Sequence, residues 1–273
     1  MEGVSILDRT EDTEQRSSSN HEQHHPRNIG VFGKHPWYAR TKLVLESVLA
    51  LLLLVLSGPL TLILAAVVKL TSAGPAFYSQ RRIGKNGRRY RIYKLRTMAH
   101  NCESSSGPEW SAGNDPRVTP VGRFLRRTHL DELPQLWNVL RGDMSLVGPR
   151  PERPEFVSKL QKEIPDYRGR QTVRPGITGL AQVYLPPDRD TDDVRRKLKY
   201  DLQYLRRFSF WLDVRLLLCS GLYLLGIPFH DSCRWLRVPS PHVIDCDTYR
   251  LATATVPVTA TVASEEHLEL QLA

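Results

Sequence analysis

Cysteine is scarce in this chain of 273 residues: Cys102, Cys219, Cys233 and Cys246 are the only four, and no two form a Cys-x-x-Cys pair. A disulfide framework and a zinc ribbon are thereby excluded, and a reducing compartment fits. No repeat with a period of about 20–50 residues is present, which excludes a solenoid or a propeller. A mean hydropathy of −0.35 excludes a polytopic membrane protein. With 41% hydrophobic residues, 17 Gly and 19 Pro, the chain is neither collagenous nor coiled-coil nor wholly disordered. Acidic residues are missing from Lys69 to Arg96, where Lys69, Arg81, Arg82, Lys85, Arg88, Arg89, Arg91, Lys94 and Arg96 stand together. That stretch alone matches the formal net charge of +9. It suits nucleic acid, an anionic membrane surface or a phosphorylated substrate.

The preceding segment narrows the choice. Residues Leu43 to Val68 carry one charge, Glu46, and no sustained polar face, so they read as a membrane segment. A straight helix of that length would measure about 39 Å against a hydrocarbon core of about 30 Å. Ser57-Gly58-Pro59 near its middle predicts a kink, because Pro removes a helical hydrogen bond. Lys34, Arg40 and Lys42 precede the segment and the nine cations follow, so both ends carry residues that prefer the cytoplasmic side. A re-entrant helical hairpin satisfies both ends; the alternative is a kinked single span.

The resulting division is a disordered tail over 1–36, a membrane-associated kinked helix over 37–70, a soluble domain over 71–232 and an appendage over 233–273. His21, His24 and His25 fall in the tail and read as solvated rather than metal-binding. Arg89 to Arg96 alternates as a half-buried strand expected to present Arg89, Arg91, Lys94 and Arg96 largely to its open side. Pro154 to Ile164 reads as a short helix. A longer helix should start with Thr191 as N-cap and run to about Phe208, burying Val194, Leu198, Leu202 and Leu205. Asp201 borders that stripe and needs a cationic partner or a substrate role. Leu216 to Phe229 is too short to span and reads as a core or interfacial helix. The fold class is α+β, a small soluble domain with interfacial helices and the N-terminal membrane helix as its anchor.

The chemistry concentrates between Arg123 and Pro151. Pro134 suits the first position of a helix buried through Leu136, Val139 and Leu140, which puts Asp131 and Glu132 in the turn at its N-terminus. Two adjacent carboxylates repel, and a divalent cation would hold both. Arg126 and Arg127 lie nearby, and two Pro-Gly turns display Arg150 and Arg174. A metal-binding acidic pair among guanidiniums suits a nucleoside diphosphate substrate, and the attached membrane segment suits a lipid as the second substrate.

Five motifs, in order, carry a resemblance: Lys94-Leu-Arg-Thr-Met98, Leu130-Asp-Glu-Leu-Pro-Gln-Leu136, Asn138 to Pro151, Arg174-Pro-Gly-Ile-Thr-Gly179 and Phe210-Trp-Leu-Asp213. Over roughly residues 37 to 229 the chain resembles the bacterial sugar transferases, the monotopic phosphoglycosyl transferases, in their small form. The resemblance implies transfer of a sugar 1-phosphate from a nucleoside diphosphate sugar, usually a UDP-sugar, to polyprenyl phosphate. The products would be a nucleoside monophosphate and a polyprenyl diphosphate sugar that starts an exopolysaccharide or other surface glycan. It implies Asp131 as the nucleophile that forms an aspartyl phosphosugar, with Glu132 and Asp131 holding Mg²⁺. Lys94, Arg96, Arg126, Arg150 and Arg174 would contact phosphate and nucleotide, and Asp201 would support the site. It further implies the bacterial inner membrane with the catalytic domain facing the cytoplasm, and membrane lipid, the two substrates and downstream glycosyltransferases as partners; nucleic acid drops out because the charge is arranged around an acidic centre at the lipid boundary. Two positions depart from the family pattern: Ser57-Gly58-Pro59 where the family has Ser-Pro, and His129 where it often has Ser.

Two rival readings use other residues. Asp188-Arg-Asp190 looks like the Asp-x-Asp of metal-dependent glycosyltransferases, but Pro186, Pro187 and a following basic helix favour a loop. Asp193 and Lys199 stand where an EF-hand needs Gly and Glu. A non-enzymatic basic module using residues 69 to 96 would account for the charge but not for the ordered acidic and arginine motifs.

Overall fold

The computed structural model describes residues 36–103, 107, 109, 110 and 115–240. Nearly all of the expected tail with its histidines, and most of the expected appendage with Cys246, lie outside the described residues.

Helix α1 (Pro36–Thr71) is 36 residues long, and from Trp37 on it is long and apolar enough to cross a membrane. Tyr38, Lys42, Glu46 and Ala50 are buried on one side of Ser57-Gly58-Pro59, and Thr61, Ala65 and Val68 on the other. The spacing of three or four within each run keeps each on a single face. Tyr38 and Ala50 join the main core, while Ala65 and Val68 pack with Leu95 and Leu125. Val44, Val48, Val55, Leu56, Leu62 and Ile63 are exposed, as a lipid-facing surface requires. Helical geometry continues through Pro59, where the kink was expected. Ser57 Oγ donates to Leu53 O at 2.7 Å and Thr61 Oγ1 to Ser57 O at 2.9 Å. Such hydroxyl back-bonding keeps the turn satisfied and favours a bend over a break.

Strands β1 (Phe77–Ile83) and β2 (Arg89–Leu95) form an antiparallel hairpin, with Phe77 opposite Leu95 and Ile83 opposite Arg89. Tyr90, Ile92 and Leu95 point into the protein, and Arg89 and Arg91 remain exposed. Arg96 departs from the expected pattern and is buried. Its guanidinium donates to Ala73 O at 2.7 Å and to Ser72 O and Oγ at 2.8 Å, just beyond the C-terminus of α1. The negative end of the helix dipole and the Ser72 and Ala73 carbonyls just past it explain why a cation turns inward there.

Helix α2 (Pro120–Arg127) is capped by Thr119, whose hydroxyl accepts from Gly122 N at 2.9 Å. Helix α3 (Gln135–Leu140) leads into β3 (Ser145–Val147), which pairs in parallel with β4 (Gly176–Thr178). Leu136 and Val139 are buried as expected, whereas Leu140 is half-buried. The backbones of the two Pro-Gly turns meet at Gly148 and Gly176, where a Cβ on Gly176 would lie 2.1 Å from Gly148 N. Gly176→Ala is therefore expected to lose about 2 kcal/mol or more of stability in denaturant unfolding. A change within a few tenths would contradict this packing.

Helix α4 (Pro154–Glu163) stops before Pro165, as expected. Helix α5 (Leu180–Tyr184) follows β4, and α6 (Thr191–Arg206) is capped by Asp190 rather than Thr191. The Asp190 carboxylate accepts from Asp193 N at 2.8 Å, which makes Thr191 the first helical residue. Asp188 pairs with Lys197 at 2.9 Å. Both acidic residues of the rival motif thus have helix-supporting partners. Helices α7 (Phe210–Leu224) and α8 (Phe229–Trp235) expose Trp211, Leu218, Leu224 and Trp235. Helix α8 runs across the point where the appendage was expected to begin, and Cys233 and Val238 belong to the main core. There Cys219 and Cys233 face each other as free thiols, Sγ to Sγ at 3.6 Å. Mixed helix and strand content with one long apolar helix makes the fold α+β.

Candidate active site

Asp131 and Glu132 occupy a single turn of 3-10 helix, Leu130–Glu132, between α2 and α3. His129 enters that turn in the left-handed region at φ 53°, so the chain reverses sharply after α2 and drives both carboxylates inward. They are 5% and 7% exposed, a costly position for two adjacent acids unless cations compensate.

Compensation falls mainly on one of them. Glu132 Oε1 accepts from Lys94 Nζ at 2.6 Å and from an Arg150 guanidinium nitrogen at 2.9 Å. Burial by itself would raise the Glu132 pKa, but Arg150 and Lys94 outweigh it and hold this carboxyl well below the usual range. Asp131 makes no hydrogen bond among the described residues. Burial pushes its pKa up to about 6; the neighbouring Glu132 charge adds to the rise, and Lys94, Arg150 and Arg126 oppose it. Two neighbouring carboxyls therefore differ in kind: one is clamped and ionised, the other uncommitted and more basic.

Each partner is held by the fold. Asn138 on α3 donates to Arg91 O at 2.7 Å and accepts from Tyr93 N at 3.1 Å, fixing the turn's helix to the strand that carries Lys94. Arg150 follows β3. Its carbonyl accepts from Arg170 at 2.8 Å, and the same buried guanidinium pairs with Asp201 at 2.9 Å. Asp201 thus has the cationic partner its inward position required, and it acts on the site through Arg170 rather than from within it. Arg126 donates from Nε to Thr97 Oγ1 at 2.9 Å. Burial lowers its pKa, while the Asp131 charge counteracts that fall.

Of the eight site residues expected from sequence, the structure brings Lys94, Arg126, Asp131, Glu132 and Arg150 together. Arg96 lies apart, at the end of α1. Arg174 also lies apart, its Nε donating to Gly142 O at 2.8 Å beyond the far end of α3. Sequence reasoning missed Arg170, for which no local motif gives a signal. It also missed the pairing of His129 with Tyr223, whose rings lie 5.4 Å apart, and the stacking of Tyr223 on Phe229 at 4.2 Å.

A second missed feature is a buried polar network that joins α1 to the domain. Lys42 Nζ donates to Glu46 at 2.7 Å, to Val147 O at 3.2 Å and to Asp213. Glu46 also accepts from Ser145 Oγ at 2.5 Å and from Val147 N at 3.2 Å, and Asp213 accepts from Tyr38 and, at 2.8 Å, from Tyr204. Its sequence signal was the lone Glu46 in an apolar run, four residues after Lys42.

No cluster of three or more metal-binding side chains occurs among the described residues. Two carboxylates nonetheless suffice for Mg²⁺, which keeps several waters and takes its remaining ligands from substrate phosphates. The uncommitted Asp131 beside an ionised Glu132 fits that donor set.

Comparison with known proteins agrees with the motifs. An N-acetylgalactosaminephosphotransferase of Aeromonas hydrophila, named for UDP-N-acetylgalactosamine and undecaprenyl phosphate, is 45% identical over 190 residues, 70% of this chain and 45% of the relative. A UDP-glucose:undecaprenyl-phosphate glucose-1-phosphate transferase of Xanthomonas campestris pv. campestris is 39% identical over 199 residues, 72% of this chain and 41% of the relative. The exopolysaccharide production protein PSS of Rhizobium leguminosarum bv. phaseoli is 41% identical over 180 residues, 64% of this chain and 88% of the relative. The chain thus spans less than half the length of the first two. The family model described as bacterial sugar transferase matches residues 37–225, from the start of α1 to the end of α7, and on that match the chain belongs to the bacterial sugar transferase family.

Proposed function

We propose that the chain is a phosphoglycosyl transferase that moves a sugar 1-phosphate from a UDP-sugar to polyprenyl phosphate and releases UMP. The observation that carries this reading is the asymmetry of the acidic pair: Glu132 is held by two cations while Asp131 accepts no hydrogen bond among the described residues. In the first step an Asp131 carboxylate oxygen attacks the sugar-linked phosphorus, and the bond to the bridging oxygen breaks as UMP leaves. In the second, a phosphate oxygen of the acceptor attacks the same phosphorus and frees Asp131. Two displacements replace one direct encounter between anionic phosphates. Lys94 and Arg150 fix Glu132 and supply positive charge beside the transferring group, and Arg126 does so from the opposite end of the turn. Asp131 and Glu132 would hold Mg²⁺, which neutralises the donor's phosphates when bound.

The same reading gives the membrane arrangement. The buried runs on both sides of Pro59 pack on one soluble domain, Tyr38 to Ala50 through the main core and Ala65 to Val68 through Leu95 and Leu125. Residues near both ends of α1 therefore dock on the same body, which supports a helix that enters and leaves at one face of the inner membrane, bent near Pro59, with the domain on the cytoplasmic side. Relatives named for different sugars are similar at 45% and 39% identity, so the family match leaves the sugar to a donor screen.

The test is UMP release by detergent-solubilised full chain with Mg²⁺, polyprenyl phosphate and a panel of UDP-sugars. Turnover with at least one donor, dependent on both Mg²⁺ and the lipid, is expected. No turnover with any donor would favour the basic recruitment module.

A further inference from the structure

A cavity of about 290 Å³ opens between the N-terminal part of α1 and the domain, at the point where the apolar run begins. Arg174, one of the cations expected at the acidic pair, lines this cavity instead, together with Arg40 from α1 and Lys85 from the β1–β2 turn. Arg40 and Lys85 are exposed and Arg174 is half-buried. The acid in the wall is Glu46, and its charge is already taken up by Lys42, Ser145 Oγ and Val147 N. The rest of the lining is mixed, with Leu43, Val173 and Phe208 apolar and Lys42, Ser145 and Tyr204 polar. Arg40, Lys85 and Arg174, from three separate parts of the chain, thus meet beside the root of the membrane helix, over a wall in which apolar side chains alternate with the paired Lys42 and Glu46.

We propose that this cavity is a second anion site, separate from Asp131, that takes the phosphate headgroup of a membrane lipid. Its volume is close to the lower bound of about 300 Å³ for small-molecule sites, enough for a phosphate with its attached glycerol or first prenyl carbons. Guanidinium and ammonium groups would bind the phosphate oxygens, and Leu43, Val173 and Phe208 would receive the start of the chain. Position supports a lipid over a soluble anion, since Leu43 is the first residue of the apolar run and faces the cavity. The site does not depend on the transferase reading, because binding is measured without turnover.

The test is thermal stabilisation of the detergent-solubilised full chain by four probes: short-chain phosphatidylglycerol, farnesyl phosphate, short-chain phosphatidylcholine and inorganic phosphate. Saturable stabilisation by phosphatidylglycerol or farnesyl phosphate is expected, and which of the two acts identifies the lipid. In Arg40→Gln/Lys85→Gln the half-saturating concentration should rise at least tenfold, while Arg40→Lys/Lys85→Arg should retain wild-type binding and shows that the doubly substituted fold is tolerated. Stabilisation that is equal for phosphatidylcholine or inorganic phosphate, or that is undiminished in the glutamine variant, overturns the site.

Discussion

Asp131→Asn should abolish turnover, by at least about a thousandfold in UMP release, while making the protein more stable. Loss of activity alone would not separate a nucleophile from a structural residue; the stability does. Asp131 is 5% exposed and burial raises its pKa to about 6, so the folded protein binds a proton there more tightly than the unfolded chain does. For a carboxyl shifted upward the penalty is absent below the unfolded value near 4, grows as pH rises, and is complete above about 6. Above that pH it reaches about 3 kcal/mol at most. Asparagine carries no such penalty. In the metal-free protein, denaturant unfolding from pH 4 to pH 7 should show the wild type losing stability relative to the Asn variant, the difference isolating Asp131 from groups such as Asp201 that titrate in both. Equal pH dependence in the two proteins would mean that Asp131 is not held against its solvation, and retained turnover would sink its role as nucleophile.

Lys42→Met should cost about 3–5 kcal/mol of stability. Among the described residues, Lys42 is the one cation bonded to both Glu46 and Asp213, in a network that also reaches Tyr38, Tyr204, Ser145 and the backbone of Val147. Its removal leaves two buried carboxylates without a counter-charge, at the junction between α1 and β3. Asp213→Asn should cost less, because Lys42 keeps Glu46, Tyr38 keeps an oxygen acceptor, and the Tyr204 hydroxyl can accept from the amide N–H while donating to Val147 O. The order of the two variants is the informative quantity, read as thermal midpoints in one detergent. If Asp213→Asn proves the more damaging, the network is not organised around Lys42. Because β3 runs directly into the turn bearing Arg150, Lys42→Met should also weaken the clamp on Glu132 and lower kcat more than it changes KM.

What the sequence made legible was local. The apolar run, the strand from Arg89, the helix before Pro165 and the turn holding Asp131 and Glu132 each announce themselves within a few residues, through periodicity, Pro or charge. Arg96 was misplaced because strand alternation says nothing about a neighbouring helix end, and the Ser72 and Ala73 carbonyls just past α1 draw its guanidinium inward. Arg174 was grouped with the acidic pair because two Pro-Gly turns look alike in sequence. In space they pair through β3 and β4, and that pairing directs Arg174 toward α1. Arg170 was invisible for a related reason: its role depends on Arg150 and Asp201, 20 and 31 residues away, which only the packed domain brings together. The bond from Lys42 to Asp213 crosses 171 positions, and its one local trace was a charge in a membrane segment, where an ion without a partner would not persist.

The most direct measurement of the central claim is UMP release in the absence of acceptor. The full chain is mixed rapidly with Mg²⁺ and the UDP-sugar that the donor screen selects, without polyprenyl phosphate, and intact mass is recorded alongside. A burst of UMP stoichiometric with active protein, together with a mass increase of one sugar phosphate that maps to the peptide containing Asp131, is the predicted result. No UMP until the lipid is added, with the protein mass unchanged, would contradict the account and point to direct displacement.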